Sequence, residues 1–163
     1  MEILCNIGKY RILAIDPGNI ESAFAVHDKN LKPIEFGKVQ NDWFKENLLD
    51  VVNRHRIKNV AIEMVACYGM PVGKEVFETC VWIGRFTEIL HRHIDVEEIK
   101  EIYRKEEKIN LCNSMKAKDG NIRQALIDRF GVVGVKKNPG WFYGVSKDIW
   151  AAIAVGVTYL DKK

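Results

Sequence analysis

The sequence has no apolar run near the ~20 residues needed to span a bilayer, so no membrane partner is expected. It has no Cys-x-x-Cys pair either. Cys5, Cys67, Cys80 and Cys112 are scattered, and no closely spaced Cys/His set has the spacing of a zinc site. His91 and His93 are two apart, so on a helix they point to different faces. These thiols and imidazoles read as core and surface groups. Residues 1–9 include Glu2 and no long apolar stretch, a poor signal peptide, and an intracellular, reducing location is the default. Repeats, low-complexity tracts and linkers are absent as well. With 163 residues, 47% of them hydrophobic and 29% charged, the chain reads as one domain over residues 1–163 with a sizeable core.

Excess charge is scarce too, at +3, but it is unevenly placed. Residues 100–147 hold eleven Lys and Arg against five acids, which leaves that segment at +6 and the remainder at −3. A polyanion-binding face beside an acidic metal site needs such asymmetry; a solvated surface gives it less often.

What is present is a succession of short apolar runs. Arg11-Ile-Leu-Ala-Ile-Asp16, stopped by Pro17-Gly18, reads as a buried strand ending at a turn. Residues 20–27 and 33–39 read as two more strands of an antiparallel meander. Asn41 or Asp42 caps a helix to about His55. Lys58-Asn-Val-Ala-Ile-Glu63 is another strand ending in an acid. After a Gly/Pro loop, residues 74–92 form a helix with more apolar residues than one stripe holds, so it must bury a second side, against a partner subunit or another helix. A strand is expected near 98–102. A helix is expected from Ala117 or Lys118 to Phe130, stopped by Gly131. A last helix, capped by Ser146, runs to about Leu160.

Apolar strands rarely end in an acid, yet two do so here, at Asp16 and Glu63. A third acid, Asp148, opens a helix rich in small residues (Ala151, Ala152, Ala154, Gly156), which can lie close on a sheet. Three clustered carboxylates raise one another's pKa and stay ionised together only if a cation neutralises them. Hard oxygen donors favour Mg²⁺ or Mn²⁺. Two such ions, roughly 4 Å apart, would activate a water and stabilise the leaving oxygen in phosphodiester cleavage. Each acid also has an ordinary reading. Asp16 can serve the Pro-Gly turn, Glu63 can pair with a lysine, and Asp148 can answer a helix dipole. Singly, Asp148 favours the ordinary reading and Glu63 is even; together the three favour chemistry.

At this point the residues resemble a known family. Ile-Asp16-Pro-Gly before an alternating strand, Ala-Ile-Glu63, and Asp148-Ile-Trp-Ala-Ala-Ile-Ala resemble, in order, the motifs of RuvC-type Holliday junction resolvases. The resemblance spans about residues 12–160. Lys116-Ala-Lys-Asp-Gly-Asn-Ile-Arg-Gln-Ala-Leu and Asn138-Pro-Gly-Trp-Phe-Tyr place it nearest the phage-encoded branch. It implies an α/β, ribonuclease-H-like mixed sheet, an antiparallel meander followed by parallel strands, flanked by helices. It also implies a homodimer that nicks opposed strands of a four-way DNA junction with Mg²⁺ or Mn²⁺, in the cytoplasm of a bacterial cell or phage-infected host. Asp16, Glu63 and Asp148 match the metal-binding catalytic acids. One position departs from the pattern. The bacterial family has an acid or histidine three residues before the last Asp, where this chain has Val145. Either three carboxylates suffice, or another residue such as Asp119 moves in.

A junction-binding surface needs cations for phosphates and flat side chains where strands separate. Lys116 and Lys118, at the start of a helix, meet that need together with free backbone amides, and Lys118 is also a candidate for stabilising phosphate charge. Arg123, Lys136, Lys137, Trp141, Tyr143 and Lys147 are further DNA-contacting candidates; packing under the loop is an equal alternative for the aromatics. Tyr68 and Met70 match, by position alone, a family residue that probes the junction centre. An actin-like or sugar-kinase reading of Asp-Pro-Gly fails for want of a second glycine-rich phosphate loop, so no nucleotide cofactor is expected. Two alternatives stay open: an RNA-processing nuclease of the same superfamily, and a catalytically inactive junction-binding module.

Overall fold

The computed structural model describes residues 11–163. Cys5 and the signal-peptide question at residues 1–9 lie outside the described residues. Strands β1 (Ile12–Asp16), β2 (Glu21–His27) and β3 (Pro33–Gln40) form the expected antiparallel meander. Helix α1 (Asn41–His55) leads to β4 (Asn59–Met64), and α2 (Lys74–His91) leads to β5 (Glu98–Tyr103). Both β4 and β5 add in parallel, giving the sheet order β3-β2-β1-β4-β5. Then follow α3 (Arg104–Cys112), α4 (Asp119–Phe130), a small hairpin of β6 (Gly134–Val135) and β7 (Asn138–Pro139), and α5 (Ile149–Asp161).

Strand alternation sorts the core into two unequal layers. Leu13, Ile15, Phe24, Val26, Val60 and Ile62 pack with Phe44, Leu48 and Phe86 from α1 and α2. Phe44 stacks on Phe24 with ring centres 5.1 Å apart and meets Phe86 edge-on at the same distance. The opposite face carries small residues, Ala14, Ala23, Ala25 and Ala61. Helix α5 can therefore lie close: a Cβ on Gly156 would sit 2.4 Å from Nε2 of the buried His27. Small residues on both elements bring the start of α5, and with it Asp148, to the sheet.

Several element ends differ from expectation. The α1 N-cap is Gln40, not Asn41 or Asp42. The buried Asn41 side chain instead donates to the Gly18 carbonyl (2.9 Å) and accepts from Ser22 Oγ (2.6 Å). Helix α5 begins with Asp148 as N-cap, and Ser146 only closes a preceding turn through its carbonyl. Helix α3 was not anticipated. Its first five residues are all charged, and no glycine or proline separates it from β5. Its start is set by the Tyr103 amide, which donates to Glu106 Oε2 at 2.7 Å, and its end by Asn113 in the left-handed conformation.

Candidate active site

Strands β1 and β4 pair in parallel with Ile15 opposite Ile62. Their next residues, Asp16 and Glu63, therefore leave the same edge of the sheet side by side, and the two carboxyl groups share a hydrogen bond. The Pro17-Gly18 turn does not consume Asp16. It is held by Ser22, whose Oγ accepts from the Gly18 amide at 3.3 Å, and by Asn41. A Cβ on Gly18 would lie 2.3 Å from the Glu21 carbonyl oxygen, so the close approach requires glycine.

Burial raises the Asp16 pKa well above its ordinary value, and the neighbouring Glu63, Glu107 and Asp148 raise it further. Burial also raises Glu63, while Asp16 and Arg104 act against it. The two carboxyls therefore titrate as one pair, raised together by their burial. Asp148 is near enough for its charge to reach Asp16, but its carboxylate is turned to Lys38 of β3, with Nζ to Oδ2 at 2.6 Å. Lys38 also contacts Glu21 at 3.3 Å. These anions, Asp148 first, raise the Lys38 pKa.

A further carboxylate, unseen in the sequence reading, belongs to the group. Glu107 of α3 is fully buried. Its Oε2 accepts from Arg104 Nη1 at 2.5 Å, and Arg104 also contacts Asp119. Burial first, and Glu63 second, push the Glu107 carboxyl up to about 9. Arg104 stays firmly protonated, held by Glu107, Glu63 and Asp119 against its own burial. One guanidinium shared among several acids does not offset the burial of Glu107. The available sequence signal was positional: Glu107 lies four residues before Leu111, on the inward side of a mostly half-buried helix.

Among the described residues, no three His, Cys, Asp or Glu side chains are grouped closely enough to enclose a metal ion as they stand. Lys38 draws Asp148 aside, and Arg104 holds one oxygen of Glu107. The donor set still suits a hard divalent cation, being anionic and all oxygen. Glu107 Oε1, moreover, is buried without a hydrogen-bond partner.

Val145 does not serve the site; it is buried among Phe142, Ile149 and Trp150. Asp119 is largely exposed at the rim, paired with Arg104. Lys118 is the exposed N-cap of α4, and Lys116 lies in the preceding turn. The Lys118 amide is not free as expected, since it donates to Asn121 Oδ1 at 2.8 Å. Arg123 lies over the Trp150 ring at 5.1 Å. With Asp119, Val145 and Lys147, these two residues line a cavity of about 390 Å³. Lys136 and Lys137 form the exposed tip of the β6–β7 hairpin. Trp141 stacks on Phe130 with ring centres 5.5 Å apart, whereas Tyr143 is exposed. Tyr68 and Met70 are exposed in the loop after β4.

A five-stranded mixed sheet of this order, with acids leaving its two central parallel strands and helices on both faces, is the ribonuclease-H-like fold in its RuvC form. The chain superposes on Thermus thermophilus RuvC with a TM-score of 0.70 at 15% identity, covering 92% of this chain and 93% of that one. It superposes on T. thermophilus RuvC in complex with a Holliday junction substrate with a TM-score of 0.69 at 15% identity, over 92% of each chain. The yeast mitochondrial Holliday junction resolvase gives 0.61 at 9% identity, over 98% of this chain and 85% of that one. At such identities the likeness establishes the fold. No family model and no curated protein matches the sequence.

Proposed function

We propose that the chain is one nuclease domain that resolves four-way DNA junctions by divalent-cation-dependent phosphodiester hydrolysis, as a homodimer of the phage-encoded RuvC branch. The observation that supports the reading is that Asp16 and Glu63 leave adjacent strands of a RuvC-like sheet side by side, with Asp148 near enough for its charge to reach Asp16. The structures it resembles are junction resolvases, one of them bound to its junction.

In this reading Asp16, Glu63 and Asp148 hold Mg²⁺ or Mn²⁺, two ions per site. The ions supply an activated water and charge neutralisation at the leaving oxygen. Lys38 releases Asp148 when a stronger cation competes for it. Lys118, beside Asp119 at the rim, faces the phosphate whose charge grows during cleavage. Lys116, Arg123, Lys136, Lys137 and Lys147 meet flanking phosphates, and Tyr68, Met70 and Tyr143 offer exposed surface for unstacked bases. Trp141 contributes chiefly by bracing the hairpin. The reading places this action on DNA in the cytoplasm of a bacterial cell or phage-infected host; no helix among the described residues is long and apolar enough to cross a membrane.

The homodimer rests on α2. Ile83, Phe86 and Leu90 face the core, but Phe77 and Val81 are 61% and 53% exposed, so no other helix among the described residues covers the second face. A second copy of that face would bury it isologously. The double variant Phe77→Asp, Val81→Asp is expected to sediment as a monomer and to lose paired nicking. A wild type that is monomeric at tens of micromolar would remove the dimer.

The reading is tested with purified protein on a synthetic four-way junction, a linear duplex and a structured RNA, each with Mg²⁺, Mn²⁺ or chelator. Symmetric paired nicks in the junction, absent with chelator, are expected. Preferential RNA cleavage would favour an RNA-processing nuclease instead. Junction affinity with no cleavage under any cation would leave an inactive binding module.

A further inference from the structure

We propose that Glu107 is an additional carboxylate of the active site, a cation ligand that α3 supplies beside Asp16 and Glu63 in place of the acid this chain lacks at Val145. The inference rests on the nuclease reading and extends it.

Topology puts Glu107 at the right edge. Glu63 pairs in register with Ile102, and Met64 with Tyr103, the last residue of β5. Helix α3 begins at the next residue. Glu107 therefore lies one turn beyond the sheet edge from which Glu63 projects. Its charge reaches both Glu63 and Asp16, although the three carboxyls do not enclose an ion as they stand.

The bonding of Glu107 is incomplete for a purely structural ion pair. Arg104 engages Oε2, while Oε1 is buried with no partner. A buried polar oxygen without a hydrogen bond is costly, and an apolar residue in the same place would pack without that cost. Arg104 itself is divided between Glu107 and Asp119. A divalent cation would satisfy the spare oxygen and relieve the repulsion between Glu107 and its two neighbours. Val145, by contrast, is committed to the apolar cluster under α5 and has no donor to offer. The ligand that the sequence lacks on one side of the site is thus supplied from the other.

The test titrates the full chain with MnCl₂ in the absence of DNA, following the loss of the free Mn²⁺ signal by electron paramagnetic resonance. Wild type is compared with Glu107→Gln, which keeps the shape and an acceptor for Arg104. The variant is expected to bind Mn²⁺ about tenfold more weakly or worse, or to take up one ion fewer. Its cation-free melting temperature should be equal to or above that of wild type, because a buried group that resists ionisation has been replaced by a neutral one. Unchanged Mn²⁺ binding together with a lower melting temperature would mean that Glu107 only braces Arg104, and would overturn the assignment. If the glutamine variant does not fold, Glu107→Met carries the same titration. No uptake of Mn²⁺ by wild type also overturns the assignment. Junction cleavage by the same wild-type preparation keeps the two readings apart: if it cuts while Glu107→Gln binds Mn²⁺ normally, only the role of Glu107 falls.

Discussion

Asp16→Asn is expected to lower junction cleavage by at least about a thousandfold, ~4 kcal/mol of transition-state stabilisation, while junction binding is unchanged or tighter. Asn keeps the shape of Asp, so the turn held by Ser22 and Asn41 should survive. It cannot provide an anionic ligand, and Asp16 is the acid whose field couples to Glu63, Glu107 and Asp148 together. Removing one negative charge from the cluster also lessens repulsion of incoming phosphate, which accounts for the undiminished affinity. Single-turnover cleavage of a labelled junction, with affinity measured by gel shift in Ca²⁺ or chelator, separates the two effects. Cleavage within tenfold of wild type would show that Asp16 is a turn residue and nothing more.

The second large effect is on stability and follows pH. Glu107 titrates near 9 in the folded chain against an ordinary value of 4.5, because of burial first and Glu63 second. Asp16 is raised as well, by burial and then by Glu63. An acid whose folded pKa is raised keeps its proton after the unfolded chain has released it. Stability without cation is therefore greatest below about 4.5 on their account and is lost as pH rises towards the folded values. His27 acts in the opposite sense. Burial lowers its pKa to about 4 from 6.5, so stability falls as pH drops from 6.5 towards 4, by at most about 3 kcal/mol. The two effects oppose each other between 4.5 and 6.5, and above 6.5 only the carboxylates remain. In chelator, the melting temperature should decline from pH 6.5 to 9, and Mn²⁺ should flatten the decline by taking the place of the protons. A cation-free melting temperature that is level across that range would contradict a buried carboxylate cluster.

The sequence went far towards the fold because its signals were local. Asp16-Pro-Gly and Glu63 each close an apolar run, and alternation along β1 to β3 specifies a two-faced sheet. The Ala/Gly-rich run after Asp148 specifies a helix that can lie close against it. Such patterns depend only on neighbours in the chain, so they are readable without coordinates. The excess of apolar residues on α2 was readable in the same way, and Phe77 and Val81 are indeed left uncovered.

What the sequence could not supply were partners between distant segments. That Asp148 meets Lys38, and that Asn41 braces Gly18 rather than capping α1, follows from strands and helices converging across more than twenty residues of chain. For Trp141 the sequence left a surface for bases and packing under its loop equally open, and the ring is stacked against Phe130 once α4 and the hairpin pack together. Glu107 is the sharpest case. In the sequence it is one acid within a polar run, and only the parallel pairing of β4 with β5 brings the helix that follows, with Glu107 buried on it, to the sheet edge from which Glu63 projects. Local pattern decided which segments are strands and helices and which acids end them. Tertiary packing decided which charges share one desolvated volume, because that depends on distances in space that separation along the chain does not encode.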